Sequence, residues 1–198
     1  MITKEEYLLN PCMKSSLPFW KIKSLKIDRE IMLIDKPLDD SRYKYFFRII
    51  HNLNNISKPI LDNNYEFKDI TVEEYVNHIN SCYSDIGLTI DELEGYKSHI
   101  VYDPNLWVAI IDKRSGFVVA TGIAEFDKEI NEGILEWIQV SKEFRNNGLG
   151  SAIVNELLYR LKDKAKFVTV SGDINNPSNP LNLYLKCGFT NPYIWYIK

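Results

Sequence analysis

The segment that most restricts this chain runs from Ile134 to Leu161, where an apolar strand, a turn holding glycines and an amphipathic helix follow one another without a spacer. In Ile134-Leu135-Glu136-Trp137-Ile138-Gln139-Val140, simple alternation puts Ile134, Glu136, Ile138 and Val140 on one face and Leu135, Trp137 and Gln139 on the other. Both faces are largely apolar, which predicts a central strand covered by helices on both sides, with Glu136 and Gln139 as its polar exceptions. Ser141 to Gly148 breaks the pattern. Leu149, Ala152, Ile153, Leu157 and Leu161 then recur at helical spacing, so the glycines belong to the first turn of a helix.

That placement has chemical content. A helix start offers unpaired backbone amides and the positive end of the helix dipole. Gly148 and Gly150 bring no side chain to keep an anion away from those amides, and Arg145 adds a planar fork of donors. Two readings of these residues stand side by side: a phosphate site, or a glycine-containing helix start beside a solvated arginine.

The flanking sequence completes an α/β pattern. Glu66 to Ile70 reads as a strand, and Thr71 with Glu74 is spaced as a capping box, with Ile70 and Tyr75 as its staple, opening a helix to about Ser81. Thr89 with Glu92, flanked by Leu88 and Leu93, repeats this for a helix towards Ser98. Trp107 to Ile111 and Phe117 to Phe126 read as a hairpin around Asp112 to Gly116, and Asn131-Glu132-Gly133 as another turn. Phe167 to Val170 is a short strand, Asn179-Pro180 to Cys187 a short helix closed by Gly188, and Ile194 to Ile197 a last strand.

The first 64 residues are less regular. Turn signals at Asn10-Pro11-Cys12, Ser16 to Trp20 and Lys36 to Asp40 leave Glu30 to Asp35 and Tyr43 to Ile50 as candidate strands, although the second also fits a helix. Phe19 and Trp20 suit either cover over the core edge or the wall of a substrate pocket. The expected organisation is an extension, 1–64, packed on a core domain, 65–198.

Composition narrows the function classes. With 24 basic and 27 acidic side chains the formal charge is -3, which gives no support to dedicated nucleic-acid binding. Cys12, Cys82 and Cys187 show no paired spacing and suggest a reducing compartment. The start, MITKEEYLLNPC, does not resemble a secretory signal, and no long apolar run follows, so a soluble cytoplasmic protein without a membrane role is expected. His51, His78 and His99 lack metal-ligand spacing, and no metal site is expected. Cys187 suits a small buried packing position. Asp91, Glu92 and Glu94 suit a solvated helix start, or the lining of a channel that attracts a cation.

Arg145-Asn146-Asn147-Gly148-Leu149-Gly150-Ser151 resembles the Q/R-x-x-G-x-G/A signature that binds the coenzyme A pyrophosphate in the GNAT superfamily of N-acetyltransferases. Leu183-Tyr184-Leu185-Lys186-Cys187-Gly188-Phe189 resembles the later LYxKxGF segment of that family. Over residues 65–198 the resemblance implies an α/β fold with a mixed, splayed central sheet flanked by helices. It implies acetyl-CoA as cosubstrate, with the backbone of Ile138, Gln139 and Val140 along the pantetheine and Arg145 to Ser151 around the pyrophosphate. Tyr184 matches the tyrosine that protonates the departing thiolate, a role for which a phenol is suited; packing the helix against the sheet is its other role. Where the family often has an asparagine, this chain has Pro177, leaving Asn176 and Asn179 as candidate pantetheine contacts.

The reaction so implied is direct acetyl transfer to an amine of a small molecule or peptide. The amine must lose a proton before attack, and Glu136, then Glu125, are the candidate bases, with a rim or ion-pair role as the alternative for Glu136. Backbone donors near Val140 are expected to polarise the thioester oxygen. The competing reading is a non-catalytic acyl-CoA-binding regulatory or interaction protein of the same fold. The resemblance leaves room for a homodimer, and the acceptor side is expected from residues 1–64 and the helices between Thr71 and Ser98.

Overall fold

A computed structural model describes residues 4–13, 31–34, 44–83 and 86–197. Phe19, Trp20 and the turn signals at Ser16 to Trp20 and Lys36 to Asp40 lie outside the described residues. Contacts divide the chain into two compact units, Leu53–Val168 and Met1–Asn52 with Thr169–Lys198.

In the Leu53–Val168 unit the strands are β3 (Tyr65–Phe67), β4 (Trp107–Asp112), β5 (Val118–Asp127) and β6 (Glu132–Val140), paired antiparallel in that order. Three helices accompany them: α2 (Val72–Cys82), α3 (Ile90–Gly95) and α4 (Leu149–Leu161). Both expected capping boxes form. Thr71 Oγ1 accepts from the Glu74 amide at 3.2 Å while Glu74 accepts from the Thr71 amide at 2.7 Å, and Thr89 with Glu92 repeats the exchange at 3.2 and 2.8 Å. Glu92 therefore serves the helix start, and Asp91, Glu92 and Glu94 are all exposed. After α3 a turn of 3-10 helix covers Tyr96–Ser98.

One face of this sheet packs Tyr75, Val76 and Ile79 of α2 and Leu93 of α3 against Ala109 and Ile123. On the α4 side, glycine at 122 is a packing requirement: a Cβ there would collide with Ile153 and lie 2.9 Å from Ile138 Cδ1 and 3.2 Å from Leu157. β6 begins at Glu132, two residues before the expected Ile134, because Glu132 and Gly133 pair with Asp127 and Phe126.

The other unit contains α1 (Lys4–Leu9), β1 (Ile31–Ile34), β2 (Lys44–His51), α5 (Pro180–Lys186) and β8 (Thr190–Ile197); β7 (Phe167–Asp173) crosses the division at Val168. β8 pairs antiparallel with β1 and β2, so Lys44–His51 is a strand and not a helix. α1 is an element that the turn signals concealed. Arg48, inside the apolar run of β2, is buried and donates to Tyr7 Oη at 2.8 Å, Thr169 Oγ1 at 2.9 Å, Ser171 Oγ at 3.1 Å and the Pro11 carbonyl at 3.1 Å. A buried guanidinium needs such acceptors, since desolvation without them costs several kcal/mol by order of magnitude. No helix among the described residues is long and apolar enough to cross a membrane.

Candidate functional site

The sheet register departs from simple alternation where the chemistry was expected. Thr121 pairs with Gln139, but Ile123 pairs with Glu136, so β6 carries one residue more than β5 across this interval. The extra residue is a bulge, and Trp137 occupies it with φ of 46°, a conformation that side chains other than glycine seldom adopt. This corrects the expected faces. Trp137 Nε1 donates to Tyr96 Oη at 3.3 Å, and the Tyr83 ring lies edge-on with its centroid 6.5 Å away, so Trp137 shares the α2/α3 face with Glu136. Ile138 turns to the opposite face, beside Gly122, Ile153 and Leu157. Gln139 returns to the α2/α3 side, where its amide donates to Thr121 Oγ1; its Oε1 is buried without a protein partner.

Glu136 and Glu125 stand on adjacent strands of that face, opposite Ile123 and Ile134. Burial holds the Tyr96 phenol above its ordinary range, partly offset by the Trp137 bond, and the charges of Glu136, Glu125 and Glu92 add to the rise. Glu125 Oε1 lies 3.4 Å from His99 Nδ1, and the His99 ring stacks on Tyr96 at 5.0 Å and 27°. Tyr96 and His99 were missed by motif reading. Their only sequence signal is a spacing of three, one helical turn, just behind the second capping box.

The loop after β6 is built differently. Ser141 donates its amide to the Val119 carbonyl at 2.9 Å, a 3-10 turn covers Lys142–Phe144, and Arg145 Nε donates to the Val140 carbonyl at 3.3 Å. Asn146 has φ of 66° and Asn147 Nδ2 donates to the Phe144 carbonyl at 3.2 Å. Gly148 is the N-cap of α4 with φ of 76°, and no side chain caps the amides that follow. A Cβ at 148 would meet nothing within 4 Å. Glycine is favoured there by backbone conformation, and the space before it is open. Uncapped amides, a dipole end and an exposed arginine are the donor set that a diphosphate requires, so the residues present fit one.

The Leu53–Val168 unit thus brings together Glu125, Glu136, Ile138, Gln139, Val140 and the turn from Arg145 to Ser151. Tyr184, Asn176 and Asn179 belong to the other unit. Tyr184 is 5% exposed, with its ring centroid 6.0 Å from Phe47 and 5.5 Å from Phe189. Asn176 Oδ1 accepts from the Ser178 amide and hydroxyl at 2.9 and 2.7 Å, and Asn179 caps α5 with φ of 48°. Both amide groups serve local turns. Cys187 is buried, and no cluster of metal-ligating side chains occurs among the described residues.

Residues 103–191 match the family model described as the acetyltransferase (GNAT) domain. No curated protein matches the sequence. Among solved structures, a GCN5-related N-acetyltransferase from Sphaerobacter thermophilus superposes with a TM-score of 0.65 at 16% identity, covering 78% of this chain and 51% of that one. A GNAT-family acetyltransferase from Colwellia psychrerythraea gives 0.58 at 13%, covering 78% and 56%. Ard1 from Thermoplasma volcanium gives 0.55 at 15%, covering 68% and 97%. The chain therefore spans about half the length of the first two. At these identities the structural likeness speaks for the fold: an α/β, mixed open sheet flanked by helices, as the motifs implied. The match over 103–191 and this fold agree in likeness to the GNAT acetyltransferases.

Proposed function

We propose that this protein transfers an acetyl group from acetyl-CoA directly to the amine of a small molecule or peptide. The observation that carries the reading is the helix start of α4, left uncapped at Gly148 directly after the loop that leaves β6. Its open amides and Arg145 would hold the diphosphate, and the backbone of Ile138 to Val140 would lie along the pantetheine. Acetyl-CoA supplies an activated thioester carbonyl.

The remaining steps belong to the protein. Glu136 takes the proton from the incoming ammonium, directly or through water, which frees the nitrogen lone pair for attack. Glu125 adds negative charge that favours arrival of a cationic acceptor. Val140 marks the strand end whose backbone donors face the developing oxyanion. The nitrogen loses one proton to Glu136 before attack and a second as the tetrahedral intermediate collapses. In the role the resemblance gives Tyr184, the phenol protonates the departing thiolate and recovers its own proton from that second one, so one proton is released overall.

The test is to incubate purified protein with acetyl-CoA and pooled amines, following free thiol release and a one-acetyl mass gain. Glu136→Gln should then lower kcat by about 10²–10⁴-fold and remove the acidic limb of the pH–rate profile. Binding of acetyl-CoA without transfer to any amine would favour a non-catalytic acyl-CoA-binding role instead.

A further inference from the structure

His78 sits on the inward face of α2 among Tyr75, Val76 and Ile79, at a position that a helix of this pattern ordinarily fills with an apolar side chain. It is 5% exposed, so both ring nitrogens must find partners. Nδ1 lies 2.9 Å from Thr121 Oγ1, which also accepts from the Gln139 amide, and Nε2 lies 3.0 Å from Ser141 Oγ. One ring therefore ties α2 to β5, through Thr121 to the end of β6, and directly to the first residue of the loop beyond it.

Ser141 is the informative partner. It occupies the N-cap of the Lys142–Phe144 turn, where a serine hydroxyl commonly closes its own turn, yet it makes no such cap bond. Its hydroxyl meets His78 instead. Its carbonyl accepts from the Phe144 amide at 2.9 Å, and the preceding carbonyl, of Val140, holds Arg145 Nε. A shift at Ser141 is thus passed within one turn to Arg145.

We propose that His78 is a positioning residue for coenzyme binding: its Nε2 bond to Ser141 sets the loop in the shape in which Arg145 and the α4 start meet the diphosphate. This rests on the acetyl-CoA reading above. His78 touches no reacting atom, and its effect runs through the loop.

Two conservative variants separate the bonds, because an asparagine amide reaches about as far as Nδ1 and a glutamine amide about as far as Nε2. Calorimetric titration with acetyl-CoA, alongside thermal unfolding, should show His78→Gln within about threefold of the unsubstituted protein and His78→Asn weakened about tenfold, the loss of one hydrogen bond. Ser141→Ala should weaken binding to a similar degree, and the double variant His78→Asn/Ser141→Ala no further, since both remove one link. A role in core stability alone would lower the unfolding temperature without this ordering of affinities. Equal affinities for the asparagine and glutamine variants, or additive losses in the double variant, would overturn the proposal. Absence of binding by the unsubstituted protein would instead sink the parent reading, and this one with it.

Discussion

α2 and α4 begin in opposite ways. At α2 the first turn is closed: Thr71 and Glu74 exchange hydrogen bonds, and a carboxylate already sits at the positive end of the helix. At α4 the corresponding place is held by Gly148 in a left-handed conformation, with no side-chain cap and no acidic residue in the first turn. The same unsatisfied amides are spent on stability in one helix and left available in the other. A helix start that is left open after a central strand is a better pointer to ligand binding than a glycine count, since glycine also serves packing alone, as at Gly122.

The contrast can be broken most strongly at Gly148. Gly148→Asp would place a carboxylate beside the open amides. Two like charges about 5 Å apart at an effective dielectric near 20 repel by about 3 kcal/mol, so acetyl-CoA affinity should fall by about 100-fold in a calorimetric titration. Aspartate tolerates the left-handed region better than most residues, so the unfolding midpoint should move little. Unchanged affinity would mean that the α4 start does not hold the anion.

Acid tests the closed helix next. Burial lowers the His78 pKa from its ordinary 6.5 to about 4, so the unfolded chain takes up its proton first as the pH falls. Stability is then fully present above about 6.5 and declines as the pH drops through 4, by roughly 3 kcal/mol in all. Cys82 on the same helix lies 3.7 Å from His78 Nε2, and Arg145 and Glu143 act on its thiol from the loop. Denaturant titrations across this range should give a shallower slope for His78→Gln; an equal slope would contradict the assignment. His51, also lowered by burial, contributes to both proteins alike. Glu74 acts further down: hydrogen bonds from Thr71 depress its pKa, so its contribution is lost only as the pH falls through a value below the usual carboxylate one.

The smallest effect is at Thr71. Thr71→Ala should cost about 1 kcal/mol of unfolding free energy in a denaturant titration, the usual value of an N-cap, and leave acetyl-CoA binding unchanged. A loss of binding there would erase the division of roles between the two helix starts.

These contrasts also show what the amino-acid order can reveal. Capping boxes, the α4 stripe and the strand before it are local patterns, and they were legible because their physics is complete within a few residues. The bulge at Trp137 was not legible. It arises from pairing with β5, and a run of alternating apolar residues gives no sign that one of them will be left out of register. The His78–Ser141 link joins positions 63 apart, and a lone histidine on a helix looks the same whether it meets solvent or a distant hydroxyl. α1, six residues long, is too short to show a period, and Pro192 hid the first half of β8.

Acetyl-CoA binding, measured by calorimetry on the whole chain with and without Arg145→Ala, bears most directly on the central claim. The account predicts a single site whose affinity falls by about 10- to 100-fold on loss of the guanidinium, as expected for hydrogen bonds to a charged group. Identical titrations for the two proteins, or no heat from the unsubstituted one, would contradict it.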